Sequence, residues 1–177
     1  MKKNIPFPLK LIRPEVDSRE YKKIFSWNPS KSLIASFRAY HGAASSIPFV
    51  NFTVKSWALI CHRFWSVVCG VDIPISVKFG RGILMPHTNG IVIHGNSVIG
   101  ENCLIFHQVT IGTRNSEPPI IGNNVDIGAG AKILGSIKIG DHANIGANAV
   151  VITDVPAYAT AVGIPAKIIL KKSLKTN

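Results

Sequence analysis

Acidic residues are scarce. Nine Asp and Glu stand against twenty Lys and Arg in a chain of 177 residues, a formal charge of +11, so the favoured partner is anionic. Cysteine is scarce too. Cys61, Cys69 and Cys103 form no CxxC pair, which excludes a disulfide scaffold, argues against a structural zinc site and makes a reducing cytosol the expected compartment. No run of about eighteen uncharged apolar residues exists, so no bilayer span is expected. The opening MKKNIPFPLKLIRPE is interrupted by Pro6, Pro8, Lys10 and Arg13, so no secretory signal is expected there. Charged residues make up only 16% and apolar residues 46%, which supports a buried core and argues against disorder.

What is present is a repeat. Aliphatic residues recur six apart at Ile93, Ile99, Ile105 and Ile111, and again at Ile121, Ile127, Ile133, Ile139, Ile145 and Val151. Gly often follows the anchor, as in Ile99-Gly100, Ile127-Gly128 and Ile145-Gly146, and a small or β-branched residue tends to sit four places after it, as at Val109, Val125 and Ala131. Upstream, Ile73, Phe79 and Met85 hold the same spacing. Six residues are too few for a helical repeat and suit one short strand plus a tight turn. The anchor points inward, and corner Asn residues (Asn102, Asn123, Asn124, Asn144, Asn148) tolerate positive φ. One rung cannot bury its own anchor; a stack of rungs can. A sandwich would alternate with turns every 8–12 residues and would not hold a period of six. A β-solenoid is therefore expected.

The period slips twice. Two extra residues lie between Met85 and Ile93, and four between Ile111 and Ile121. They must bulge outward, as Pro86–Gly90 and as Thr113–Pro119, and function concentrates on loops held by a rigid scaffold. Three segments result: a helical region over 1–70, coils over 71–156 and a tail over 157–177. Helices are expected from Leu33 to Tyr40 and from Phe52 to Cys69. In the second, Val54, Trp57, Ala58, Cys61, Phe64, Trp65 and Val68 form a broad apolar face, with Lys55, His62 and Arg63 off or beside it. Such a helix caps the solenoid or packs on a sister subunit. The alternative is peripheral membrane contact, helped by the cluster Lys2, Lys3, Lys10, Arg13, Arg19, Lys22 and Lys23. The tail ends in Lys171, Lys172 and Lys175.

The repeated Ile-Gly unit resembles the hexapeptide-repeat acyltransferases. The runs VDIPISVKFGRGILMPHTNGIVI, IGAGAKILGSIKIG and AVGIPAK are similar to the serine acetyltransferase branch, over roughly residues 71–169. The resemblance implies a left-handed parallel β-helix assembled as a homotrimer, with acetyl-CoA as co-substrate in a groove between subunits. Transfer of an acetyl group to a hydroxyl needs a base that removes the proton during attack, and histidine suits that task. Of the six histidines, His87 lies in the first bulge and occupies the family's catalytic position. Asp72 lies fifteen residues earlier, about one coil below, and matches the aspartate that orients the imidazole. By resemblance, Gly112, Thr113, Ala129 and Ala147 line the pantetheine arm, Lys167 meets the nucleotide phosphates and Lys132 assists. His107, Asn89 and Arg114 are the expected acceptor contacts. His41, His62, His94 and His142 are read as structural or surface residues.

The sequence departs from that branch where the acceptor is read. Pro86 replaces the usual Asp before the catalytic His, and Glu117 and Pro118 stand where an Arg-His pair would grip a carboxylate. The features for reading serine are thus reduced, and the expected acceptor is a sugar hydroxyl in surface polysaccharide synthesis, with L-serine as the alternative. A cytoplasmic enzyme is expected, possible contact with the inner membrane face included. The histidine spacing does not fit the metal site of γ-carbonic anhydrases, so no metal is expected. A non-catalytic scaffold is the remaining rival. Nucleic acid is disfavoured because the charge sits at the chain ends without an aromatic-basic platform.

Overall fold

The computed structural model describes residues 27–43, 47–113 and 117–170; Arg114, the N-terminal basic cluster and Lys171, Lys172 and Lys175 lie outside them. Helix α1 spans Pro29–Gly42 and helix α2 spans Pro48–Cys69. Both begin four residues before the expected starts, each with a proline in its first turn, where a missing N–H costs nothing. Asn28 caps α1 by accepting from the Lys31 N–H at 3.1 Å. Gly70, at φ 62°, ends α2 in the left-handed conformation and turns the chain into the first rung.

The coils form a three-sided prism. One face stacks Val92–Ile93, Thr110–Gly112, Lys132–Leu134 and Val150–Val151 as parallel strands. A second stacks Lys78–Phe79, Val98–Ile99, Ile120–Ile121 and Lys138–Ile139. The third stacks Leu104–Ile105, Asp126–Ile127, Asn144–Ile145 and Thr160–Val162. The register aligns the anchors. Ile93 pairs with Ile111, Ile111 with Ile133 and Val151 with Ile133; Ile105 pairs with Ile127 and Ile127 with Ile145. Each face thus sends one aliphatic column into the core, and Ile105, Ile111, Ile127 and Ile133 have no exposed surface. The ladder runs past Pro156, where the hexad anchors end: Ala161 takes the place of the aliphatic anchor and pairs with Ile145. Lys167–Ile169 then folds back antiparallel on Thr160–Val162 and covers the open strand edge.

The Ile-Gly pairs have a steric cause. A Cβ on Gly128 would stand 2.6 Å from the backbone nitrogen of Ala147 in the next coil, so the rungs could not close up. The corners follow a stricter rule than asparagine content. One corner stacks Gly70, Gly90, Gln108, Gly130 and Asn148, and another stacks Gly82, Asn102, Asn124, His142 and Tyr158, all at positive φ. Asn123 and Asn144 are absent from that set. Position in the rung, rather than residue type, sets the conformation, and Gln108, His142 and Tyr158 adopt it because the coils above and below leave no other path.

The helices dock on the first coil. Arg38 donates to the carbonyls of Phe79 (2.8 Å) and Gly80 (2.5 Å), and the His41 Nε2–H donates to the Ile75 carbonyl (2.8 Å). Helix α2 differs from expectation. Only Ala58, His62 and Cys69 are buried, whereas Trp57 is 69% exposed and Phe64 is exposed beside it. The helix is apolar nearly all round, so periodicity could not choose the packed side; α1 does, through Leu33, Ile34 and Phe37. His62, expected off the packed face, is buried edge-on against Phe37 with ring centroids 4.7 Å apart. Among the described residues no helix is long and apolar enough to cross a membrane.

The column predicts its own energetics. Ile127→Ala in the core should lower unfolding free energy by about 2–5 kcal/mol, while Val98→Ala on the outer wall should stay within about 0.5 kcal/mol, both read from urea midpoints.

Candidate active site

The first bulge is pinned between two coils. Below it, the Gly90 N–H donates to the Gly70 carbonyl at 2.7 Å and the Thr88 hydroxyl donates to the Cys69 carbonyl at 3.1 Å. Above it, the Asn89 carbonyl accepts from the Gln108 N–H at 2.9 Å. The two surplus residues cannot enter the ladder, and His87 stands exposed at the corner. Its ring lies edge-on to that of His107, with centroids 6.1 Å apart at 82°. The His107 Nδ1 is buried without a hydrogen-bond partner in the described protein.

The stacking sets several expected residues in one line. Asn89, His107, Ala129 and Ala147 each immediately precede a positive-φ residue of the same corner, in successive coils. Backbone bonds join them in sequence: the Gly130 N–H donates to the His107 carbonyl at 2.9 Å and the Asn148 N–H to the Ala129 carbonyl at 2.8 Å. Coils are about 4.8 Å apart, so this edge runs roughly 14 Å from Asn89 to Ala147. At its far end Lys167, exposed, pairs with Val162, whose side chain lies over Gly146. An imidazole, a track of methyl groups and a cation thus lie in order along one corner.

Other expected residues lie elsewhere. Gly112 and Thr113 sit at the opposite edge of the face that starts at Thr110. The Thr113 Oγ1 is buried without a partner in the described protein. Lys132 is spent within the wall: its amino group donates to the Gln108 carbonyl at 2.8 Å and to the Thr110 hydroxyl at 3.0 Å. Glu117 accepts from the Ser136 hydroxyl at 2.7 Å. Asp72 forms a parallel bridge to Val92, its N–H donating to the Ile91 carbonyl at 2.9 Å, so its strand runs directly below the turn that carries His87. Its side chain is exposed, and no hydrogen bond joins it to His87 among the described residues.

Asp72 instead lines a cleft of about 530 Å³ between α2 and the first rung. Leu59, Ile60, Val71, Ile73, Pro74 and Ile75 make its walls apolar, and His62, Arg63 and Ser66 bring polar groups from α2. Burial holds the His62 imidazole below its ordinary pKa, opposed by a hydrogen bond to the Ile73 backbone and reinforced by the nearby Arg63 charge. Burial likewise pushes the Cys69 thiol up, partly offset by Thr88, so that sulfur is not an activated nucleophile. The α2 residues of this cleft had no signal in the sequence, because the docked side of α2 was ambiguous there.

The geometry has counterparts among known proteins. The family described as "Bacterial transferase hexapeptide (six repeats)" matches residues 118–153. The chain belongs to the hexapeptide-repeat transferases, and its fold is their left-handed parallel β-helix preceded by helices. Within that class its relatives are serine acetyltransferases. It is 40% identical over 147 residues to the serine acetyltransferase of Haemophilus influenzae, an alignment that covers 81% of this chain and 55% of that protein. With the serine acetyltransferase of Helicobacter pylori strain J99 it shares 44% identity over 108 residues, 59% of this chain and 63% of that one. Among solved structures, a serine acetyltransferase in complex with CoA superposes with a TM-score of 0.68 at 41% identity, covering 81% of this chain and 58% of that chain. A soybean serine acetyltransferase complexed with serine gives 0.64 at 36%, covering 80% and 56%. The chain therefore spans between half and two thirds of the length of these relatives.

The buried His62 makes stability depend on pH with a definite sign. Its folded pKa is depressed, so as pH falls below about 6.5 the unfolded chain binds a proton before the folded one does. Stability is unaffected by this group above that pH and declines below it. In urea titrations at pH 7.5 and pH 5, His62→Phe should lose less stability on acidification than the parent chain; an equal loss in both would show that His62 carries no such linkage.

Proposed function

We propose that this chain is an acetyl-CoA-dependent O-acetyltransferase whose acceptor is L-serine. The observation that carries the reading is the single corner on which His87, His107, the alanine track and Lys167 are stacked. Its setting among serine acetyltransferases, one of them solved with CoA and one with serine, supports both co-substrates. The sugar acceptor expected from the sequence yields to serine on this ground, since these relatives are all serine acetyltransferases.

In this mechanism His87 accepts the proton of the acceptor hydroxyl as its oxygen attacks the thioester carbonyl carbon. Asp72 swings from the neighbouring strand to hold the imidazolium. The C–S bond then breaks, the ester forms, and the imidazolium returns the proton to the departing CoA sulfur. Ala129 and Ala147 offer the pantetheine arm a surface without projecting side chains, Lys167 meets its phosphates, and Asn89 and His107 flank the acceptor. A homotrimer completes the groove, with the exposed apolar side of α2 available for subunit contact.

One specific feature favours a neutral hydroxyl acceptor instead: Pro86, Glu117 and Pro118 replace groups that would read an amino acid. Release of free CoA thiol, measured with L-serine and in parallel with sugar acceptors, separates the two. The expected result is turnover with L-serine, a loss of about 10²–10⁴-fold in kcat for His87→Ala with KM for acetyl-CoA little changed, and a particle of three times the 19.1 kDa chain by light scattering. Turnover with sugars alone would transfer the reading to them, and full activity in His87→Ala would overturn it.

A further inference from the structure

The cleft beneath the His87 turn has no part in the account above apart from Asp72, yet it is built as a ligand site. Its volume, about 530 Å³, lies in the range of small-molecule pockets, and its walls are apolar with a few convergent polar groups. Two of those groups keep unspent hydrogen-bonding capacity. The Nδ1 of His62, a residue 6% exposed, and the Oγ of Ser66 are buried without partners in the described protein. Buried polar atoms are seldom left so. His62 bonds the Ile73 backbone through its other nitrogen, and burial favours the neutral ring, so Nδ1 presents a lone pair. Arg63 stands exposed at the rim of the same cleft. No acidic residue occurs between Glu20 and Asp72, and no ion pair holds Arg63 among the described residues.

We infer that this cleft is the acceptor pocket, in which Arg63 grips an anionic group of the acceptor, a carboxylate in the case of serine, while the His62 Nδ1 and the Ser66 Oγ accept from its ammonium group. The inference rests on the acetyl-transfer reading and adds to it the residues that select the acceptor. Position supports it. Val71, Asp72 and Ile73, one wall of the cleft, follow directly on Gly70, to which the His87 turn is bonded through Gly90, so a bound acceptor lies next to the base. Charge supports it as well. The Glu117 carboxylate of the long loop is already engaged by Ser136, and Arg63 supplies a cation at the cleft itself. Apolar walls exclude water, which strengthens the pairing of a guanidinium with a carboxylate.

The test is steady-state kinetics on the full chain, with acetyl-CoA and L-serine varied in turn. Arg63→Gln should raise the KM for serine about tenfold or more while KM for acetyl-CoA stays unchanged, and Arg63→Lys should recover part of the loss. Ser66→Ala should raise the same KM by a smaller factor, with no change in its far-ultraviolet circular dichroism. A parent chain that turns over serine, with Arg63→Gln and Ser66→Ala indistinguishable from it, would overturn the inference and leave the acetyltransferase reading intact. Turnover of neutral sugars only, unaffected by Arg63→Gln, would overturn it too. A parent chain inactive on every acceptor would overturn both.

Discussion

The pairing of each rung with the rung below it is the constraint on which everything else depends. Parallel backbone bonds fix residue to residue, Ile93 to Ile111 and Ile111 to Ile133, so each hexad sends only its anchor and the residue two places before it into the interior, as with Val109 and Ile111. A residue beyond the count has only one way to go, which is outward. The fold thereby converts the surplus at Pro86–Gly90 into an exposed, well-anchored imidazole, and it does so at a corner whose register is repeated without change for the following coils. A catalytic group placed on such a corner gains a straight, rigid edge for a long co-substrate at no further structural cost.

The helical segment contributes something the coils cannot. A prism of stacked rungs has flat walls and offers no concavity of its own. Docking of the helical pair against the first coil, with α1 held through Arg38 and His41 and α2 bonded to the Ile73 backbone through His62, makes one, and it makes it beside the rung that supports the His87 turn. In the proposed reading, donor and acceptor are handled by different parts of the chain: the edge of the coils for the thioester and its arm, the helix-coil junction for the hydroxyl compound.

Much of this was legible in the sequence. A period of six with Gly after the anchor defines the coils, because aliphatic stacking and backbone approach leave little choice, and the slip at Met85 marks the bulge. The family resemblance added handedness and, as a proposal, the roles of His87 and Ala147. Three features were not legible. The corner conformation at Gln108 and His142 comes from the coils above and below and not from local preference. The engagement of Lys132 by Thr110 depends on which residues stack, so a lysine expected to face phosphate is drawn along the wall. The docked side of α2 depends on α1, since Trp57 and Ala58 are equally apolar in a periodicity analysis although one is exposed and the other buried.

The central claim is that the corner at His87 is where the thioester lies. A crystal structure of the protein soaked with CoA tests it most directly. The account predicts the CoA sulfur within direct or one-water hydrogen-bond reach of the His87 ring, with the pantetheine arm running over Ala129 and Ala147 toward Lys167. Density for CoA on another edge of the prism, with the His87 corner occupied by solvent alone, would contradict it.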